Sequence, residues 1–367
     1  MRKDQLDTPC LVLDLDAFEE NLKTMQDTVS ASGKNLRPHA KTHKSSVIAK
    51  KQLAMGAIGI CTAKISEAEA LIGTGIEIIL ITGPVVTSTK VARLLELLEH
   101  SPSLMTIVDH PDNVSALNDA LRERNLQMEV LLDIDVGLHR TGVPADRALA
   151  LADVVLDCDR LCLKGIQAYA GQVQHIPDYQ ARAEASRASL DTATHIFRTL
   201  KAKAPACTIL STSGTGTYDI DLEIPEITEL QVGSYVLMDA EYLAIGSKED
   251  ADQFSTFHPA LRLLTSVVSV NQRGYVTVDA GLKALYRHGG IPRVISPTYE
   301  SLQYDWFGDE YGRLSANKGQ ALPELGEAVE LVVSHCDPTV NQFDCYYVLR
   351  NDEVVDSWPI DLRGKSQ

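Results

Sequence analysis

The segment LMTIVDHPDNVSALNDALRERNLQMEVLLDID, residues 104–135, carries the reading that decides the fold. It opens on a short apolar run, LMTIVD (104–109), and closes on another, MEVLLDID (128–135). Between them, in NVSALNDALRERN (113–125), Val114, Leu117 and Leu121 recur at i, i+3 and i+7, the spacing of one helix face. Strand, helix and strand in so short a span make a βαβ unit, whose strands lie parallel.

The same alternation extends in both directions. LRPHAK (36–41), IGICTA (58–63) and IEIILIT (76–82) precede the segment, and LKGIQAYA (163–170), CTILSTS (207–213) and ELQVGSYVL (229–237) follow it. With the first two runs that makes eight strands. Helical segments lie between them, among them SEAEALIGTG after Ile65, STKVARLLELLEH (88–100) and the long DYQARAEASRASLDTATHIFRTLKAK (178–203). An eight-fold strand–helix alternation predicts an α/β fold, a closed (β/α)8 TIM-type barrel. An open doubly wound sheet would want GxGxxG after its first strand, and none is there.

After about Gly246 the texture changes. TSVVSVNQRGYVTVDAG, EAVELVVSHCD and DCYYVLRNDEVVDSWPI alternate with turn residues, the mark of antiparallel strands. CLVLDLDAFEENLKTMQDTVSAS (10–32) is a strand and helix left over from the eight-fold count. The expected organisation is a barrel over residues 12–245 followed by a smaller antiparallel β domain over 246–367, with residues 1–11 packing on the latter.

Composition narrows the function classes. The chain has 367 residues, and 50 acidic residues against 34 basic ones give a formal charge of −16. Such a surface repels phosphate backbones and argues against nucleic-acid binding. A 44% hydrophobic content supports a full-sized core, yet no apolar run approaches the length of a membrane span. The start, MRKDQLDTPCLVLDLD, places acids where a signal peptide needs an apolar stretch, so a soluble, cytoplasmic protein is expected. Seven scattered cysteines with no CxxC pair fit reduced thiols rather than a disulfide framework or a zinc ribbon.

In a barrel of this kind, chemistry belongs at the C-terminal ends of the strands. The first strand ends in RPHAKTHK (37–44), where Arg37, His39 and Lys41 share one side and Lys44 falls beyond the end. A partly desolvated lysine there, Lys41 or Lys44, can act as a nucleophile toward a carbonyl. The seventh strand ends in STSGTGTYD, whose Ser213–Thr217 turn offers hydroxyls and backbone N–H groups of a phosphate cradle. Gly233-Ser234-Tyr235, read as lying within the eighth strand, offers a second opening. A lysine together with a single-phosphate site points to pyridoxal phosphate. Arg140 lies just past the fifth strand, placed for a phenolate or carboxylate oxygen. Tyr169 stands at the end of the sixth, with His175 in the following loop, where either can flank a flat ring or move a proton. Far downstream, in SHCDPTVN (334–341), His335 and Asp337 would point the same way on a strand, with Cys336 opposite. One imidazole and one carboxylate with water suit Mn²⁺ or Mg²⁺.

Taken together, these residues resemble the fold-type III pyridoxal-phosphate enzymes, the alanine racemase-like superfamily, and most of all its D-threonine aldolase and D-serine dehydratase branch. The resemblance covers nearly the whole chain. Beyond the motifs above it is carried by DTPCLVLDLDAFEENL (7–22), DVGLHRTGV (135–143), LQVGSYVLMD (230–239) and VDAGLKA (278–284). It implies that Lys41 is the Schiff-base lysine, that Thr215, Gly233, Ser234 and Tyr242 contact the cofactor with Arg140 near its phenolate oxygen, and that His335 and Asp337 hold a metal. His-x-Asp is the aldolase form of that pair, whereas the dehydratases resemble His-x-Cys. Tyr311 and Ala63 depart from many relatives, which carry histidine and glutamine there.

The expected activity is therefore metal-dependent retro-aldol cleavage of D-3-hydroxy-amino acids, with His175 or a metal-bound hydroxide as the base and a homodimer as the active form. A dehydratase acting on D-serine or 3-hydroxy-D-aspartate is the rival on the same scaffold. A non-enzymatic pyridoxal-phosphate carrier is the rival of another class, opposed by the extra β domain.

Overall fold

The computed structural model describes residues 1–367, which cluster into two compact units. One comprises residues 25–41, 48–233 and 365–367; the other comprises 1–24, 42–47 and 234–364. The expected boundary at residue 245 falls inside the second of these.

The first of these units is the barrel. Its parallel strands follow the order Asn35–Leu36, Glu229–Leu230, Ile209–Thr212, Leu161–Ala168, Met128–Asp135, Met105–Val108, Ile79–Ile81, Ile60–Thr62. The ends of that row meet: Cys61 N–H donates to Pro38 O at 2.8 Å and Ala40 N–H to Cys61 O at 2.9 Å, which closes the sheet on itself. Every residue of Ile79–Ile81 and Met105–Val108 is buried, as parallel strands covered on both faces must be.

The outer helices follow their apolar stripes. Ser88–His100 buries Val91, Leu94, Leu95 and Leu98, and Thr87 Oγ1 caps it by accepting from Lys90 N. Pro111 opens the next helix, Pro111–Glu123, where a missing N–H costs nothing. A bulge between Val130 and Leu131 shifts the pairing with Leu161–Ala168 and brings Gln167 opposite Asp133. Gly165 sits at that irregularity with φ +148°, and a Cβ there would lie 1.8 Å from Ile209 O. Only glycine fits.

The second unit is a mainly antiparallel sheet in which six strands form a closed ring. These are Leu261–Ser269, Tyr275–Val278, Gly312–Ser315, Gln303–Trp306, Arg293–Val294 and Ala328–Val332, and the second pairs back onto the first. Cys10–Asp14 joins this sheet, antiparallel to Leu261–Leu264 and parallel to Cys345–Arg350. The first strand of the chain thus belongs to the β unit, together with the first helical turns after it. The seven cysteines are all free thiols; Cys10, Cys61, Cys207 and Cys336 are buried and Cys162 is exposed.

Two local expectations fail. The eighth barrel strand covers only Glu229–Leu230, so Gly233 lies beyond it and Ser234 opens a 3-10 turn, Ser234–Val236. Nor does a strand run through His335 and Asp337. The strand Ala328–Val332 stops short, His335 is the N-cap of a short helix, Cys336–Val340, and Asp337 lies in its first turn. Pro338 is compatible with that helix because first-turn N–H groups have no intrahelical partner.

Candidate active site

In the barrel unit the polar side chains gather at the C-terminal ends of the strands. Residues 35–39 run extended, with Arg37 N donating to Leu230 O at 2.9 Å and His39 N to Val232 O at 3.0 Å. Lys41 lies in the turn that follows and is half-buried. Arg37 does not join it. Its guanidinium makes a buried bidentate pair with Glu229, 2.9 and 3.0 Å, at the first residue of the eighth strand. Glu229 opens that strand, so Arg37 is held at the strand's N-terminal end rather than beside Lys41. Lys44 falls outside the barrel unit, in residues 42–47.

A polar layer crosses the barrel interior. Gln167 Nε2 donates to Asp133 Oδ1 at 2.9 Å and to Thr82 O at 3.2 Å. Gln231 Nε2 donates to Gln167 Oε1 at 3.1 Å and to Ser211 Oγ at 2.8 Å, and Thr141 Oγ1 donates to Asp133 Oδ2 at 2.9 Å. Burial pushes the Asp133 carboxyl up, against the pull of the Gln167 and Thr141 hydrogen bonds. None of these residues was singled out from the sequence. The available signal was Asp133 itself, an acid on the same strand face as Leu131.

The DVGLHRTG turn is built by Asp135, whose Oδ1 accepts from Gly137 N and His139 N, each at 3.0 Å. The turn leaves Arg140 exposed, its guanidinium carbon 5.8 Å from the centroid of the Tyr169 ring. Arginine and tyrosine, read separately from two strands, therefore stand as a pair.

The Ser213–Thr217 turn is held from behind. Gly216 N donates to Gln174 Oε1 at 3.0 Å, Gly216 O accepts from Arg182 Nε at 2.7 Å, and Thr217 Oγ1 donates to Asp221 Oδ2 at 2.6 Å. A Cβ on Gly214 or Gly216 would come within 2.4 Å of Gln174 Oε1 or 2.0 Å of Gln174 O. The two glycines therefore serve the close approach to Gln174, and the N–H of Gly216 is spent on it rather than on a ligand. Thr215, between them, is buried. Arg182 is fully buried, and burial pushes the Asp221 carboxyl up to about 6. His175, next to Gln174, is half-buried beside this turn. Lys41, Arg140, Tyr169, Thr215 and Gly233 thus follow the first, fifth, sixth, seventh and eighth strands. An amine, a guanidinium over a ring, and a braced hydroxyl-bearing turn at the usual phosphate position fit a phosphorylated aromatic aldehyde.

The remaining candidates belong to the β unit. Tyr242 is buried in a 3-10 turn, Tyr242–Ala244, and Ser234 O accepts from Leu237 N and Met238 N. His335 Nδ1 lies 2.9 Å from Asp239 Oδ2 and 3.5 Å from Glu241 Oε2, and the ring of His288 lies 5.8 Å from that of His335. Cys336 is buried, with Sγ 3.3 Å from Met238 O, while His335 and Asp337 on either side are half-buried. No three His, Cys, Asp or Glu side chains are arranged to hold a metal, so a closed structural site is absent. An imidazole and a carboxylate fit an open site for a hard cation completed by water or substrate. Tyr311 is exposed before the strand Gly312–Ser315, and Ala63 N donates to Glu67 Oε2 at 2.9 Å.

Residues 13–241 match the family described as "Alanine racemase, N-terminal domain", and residues 260–349 match the "Putative serine dehydratase domain". The chain is 38% identical to a D-threonine aldolase of Arthrobacter sp over 99% of its own length and 94% of that protein's. It is 35% identical to a 3-hydroxy-D-aspartate aldolase of Paracoccus denitrificans (strain Pd 1222), over 100% of this chain and 94% of that one. Among solved structures, D-threonine aldolase from Filomicrobium marinum superposes with a TM-score of 0.93 at 36% identity, covering 99% of this chain and 97% of the other. D-threo-3-hydroxyaspartate dehydratase from Delftia sp. HT23 superposes with a TM-score of 0.82 at 28% identity, with 98% of both chains covered. No helix is long and apolar enough to cross a membrane.

Proposed function

Because the chain belongs to the alanine racemase-like family of pyridoxal-phosphate enzymes, in its D-threonine aldolase branch, we propose that Lys41 carries the cofactor and that His335 and Asp337 hold a divalent cation, Mn²⁺ or Mg²⁺. The chain is a carbon–carbon lyase that cleaves D-3-hydroxy-amino acids by a retro-aldol reaction, D-threonine giving glycine and acetaldehyde. The observation that carries this reading is the 38% identity to a D-threonine aldolase over 99% of the chain, joined to the His-x-Asp order at 335–337. The dehydratase relatives are less similar, 30% for the D-threo-3-hydroxyaspartate dehydratase of Delftia sp. (strain HT23).

Pyridoxal phosphate, when bound, supplies an electron sink for the breaking Cα–Cβ bond, and a cation supplies the charge that lowers a hydroxyl pKa. The chain's own residues bind and orient. Lys41 would provide the amine, and Thr215, Gly233 and Ser234, with Tyr242, would provide the phosphate and ring contacts. Arg140 and Tyr169 act together at the ring. Asp133, Gln167, Gln231 and Ser211 satisfy one another, so the barrel interior carries a fixed polar network. His175 takes the β-hydroxyl proton, held in place by the same loop that braces the phosphate turn. The enzyme works as a cytoplasmic homodimer on a small-molecule substrate.

The metal half is tested by dialysis against EDTA. Turnover of D-threonine is lost while bound-cofactor absorbance persists, and Mn²⁺ restores it. Full turnover in metal-free protein would contradict the assignment of His335 and Asp337.

A further inference from the structure

Asp239 is fully buried, and two backbone N–H groups and the His335 ring converge on its carboxylate. Oδ1 accepts from Tyr242 N at 3.0 Å; Oδ2 accepts from Cys336 N at 3.0 Å and faces His335 Nδ1 at 2.9 Å. Both oxygens already receive backbone donors, which marks the carboxylate as the acceptor and His335 Nδ1 as the donor. Glu241 Oε2, 3.5 Å from the same nitrogen, is too distant to displace it.

We propose that Asp239 is a positioning residue that keeps the proton of His335 on Nδ1 and thereby leaves the lone pair on Nε2, the nitrogen a divalent cation takes. A neutral imidazole in solution prefers the opposite tautomer, and a ring that can rotate binds a cation less well. A buried carboxylate at the remote nitrogen removes both problems, since it fixes the tautomer, the ring plane and the ligand's basicity together. The anchor is itself immobile. Its two backbone donors come from the first residue of the helix that carries Asp337 and from the 3-10 turn at Tyr242, so Asp239 ties the His335–Asp337 segment to the chain that follows it. The inference rests on the cation reading of His335 and Asp337 and deepens it.

A role as a mere staple between backbone groups would leave the imidazole indifferent, and this is what the test separates. Metal-free holoenzyme labelled with ¹⁵N-histidine is studied by NMR above neutral pH, with His335→Gln assigning the His335 signals. The expected result is a protonated Nδ1 and an unprotonated Nε2 in the wild type, relaxing toward protonated Nε2 in Asp239→Ala. A protonated Nε2 in the wild type overturns the proposal without reference to any metal. Asp239→Ala can also fail to fold, so Asp239→Asn provides the second arm. Its amide oxygen is drawn to the side where two donors, His335 Nδ1 and Cys336 N, converge, which keeps the segment in place but removes the charge. Mn²⁺ affinity, read from free Mn²⁺ by electron paramagnetic resonance, then falls about 10–100-fold. An unchanged dissociation constant in Asp239→Asn overturns the proposal. A wild type that takes up no Mn²⁺ overturns the cation reading itself, and the nitrogen shifts still decide the tautomer.

Discussion

The backbone N–H of Lys41 donates to Nδ1 of His39 across 3.3 Å. With Nδ1 an acceptor, Nε2 carries the ring proton and gives it to Thr82 Oγ1 at 3.1 Å, and Thr82 donates in turn to Thr62 O at 3.0 Å. His39 is therefore held in the Nε2–H tautomer, and the segment that delivers Lys41 is tied to its neighbours by side chain as well as backbone.

Lys41 and Lys44 are separated by this arrangement. Lys41 lies in the turn just past the extended stretch, within the barrel unit, whereas Lys44 has φ +49° and its carbonyl accepts from Leu362 N at 2.9 Å in the β unit. Lys41→Ala is expected to lose the borohydride-reducible cofactor attachment and all measurable turnover, while Lys44→Ala keeps the attachment. Mass spectrometry of the reduced protein locates the modified peptide. Attachment at Lys44 in the wild type contradicts the assignment.

The Arg37–Glu229 pair predicts a large stability effect with no direct catalytic one. Both side chains are almost fully buried, so removing one partner strands the other charge. Glu229→Gln should cost about 3–5 kcal/mol in denaturant unfolding. A cost within about 0.5 kcal/mol would show that the pair is solvated.

Gly216 makes a sharper prediction than its neighbours. A Cβ there would sit 2.0 Å from Gln174 O, a backbone atom that cannot swing aside. Gly216→Ala should therefore displace the Ser213–Thr217 turn, destabilise the fold by about 1–3 kcal/mol, and weaken pyridoxal phosphate binding. Gly33→Ala is the control, with φ +70° and no heavy atom within 4 Å of the added carbon. It should destabilise through backbone strain alone and leave cofactor affinity unchanged. Equal cofactor affinity in both variants would rule out a role for the turn.

Asp221 gives the pH dependence. Burial raises its folded carboxyl to about 6, above the 3.8 of an unperturbed aspartate, despite hydrogen bonds from Ser186, Thr217 and Ser213. The folded state thus binds this proton more tightly than the unfolded state. The stability linked to it is present below pH 3.8 and is lost as pH rises through about 6. In equilibrium unfolding between those values, the wild type should lose stability relative to Asp221→Asn as pH increases. A flat difference would mean that the carboxyl titrates normally.

Local patterns were legible where one element settles its own structure. The helix Ser88–His100 and the strand Met128–Asp135 coincide with their apolar periods, because the stripe that marks each is the face it buries. What failed depended on partners far along the chain. ELQVGSYVL reads as one strand, yet only Glu229–Leu230 pairs on both sides, and the backbone turns at Ser234. Period-two logic put His335 and Asp337 on one strand face, whereas Asp239, 96 residues away, anchors them as the start of a helix. The site's named residues were visible as chemistry-bearing types at strand ends. The groups that hold them (Asp133, Gln167, Gln231, Arg182 and Asp221) were not, since each acts through a bond that only the closed barrel brings about.

The retro-aldol claim is tested most directly by giving D-threonine to the purified enzyme with Mn²⁺ and measuring acetaldehyde, glycine and ammonia in the same tube. Acetaldehyde and glycine in equal amounts without ammonia is the predicted result. Ammonia with 2-oxobutanoate would contradict it and make the protein a dehydratase despite its His-x-Asp pair.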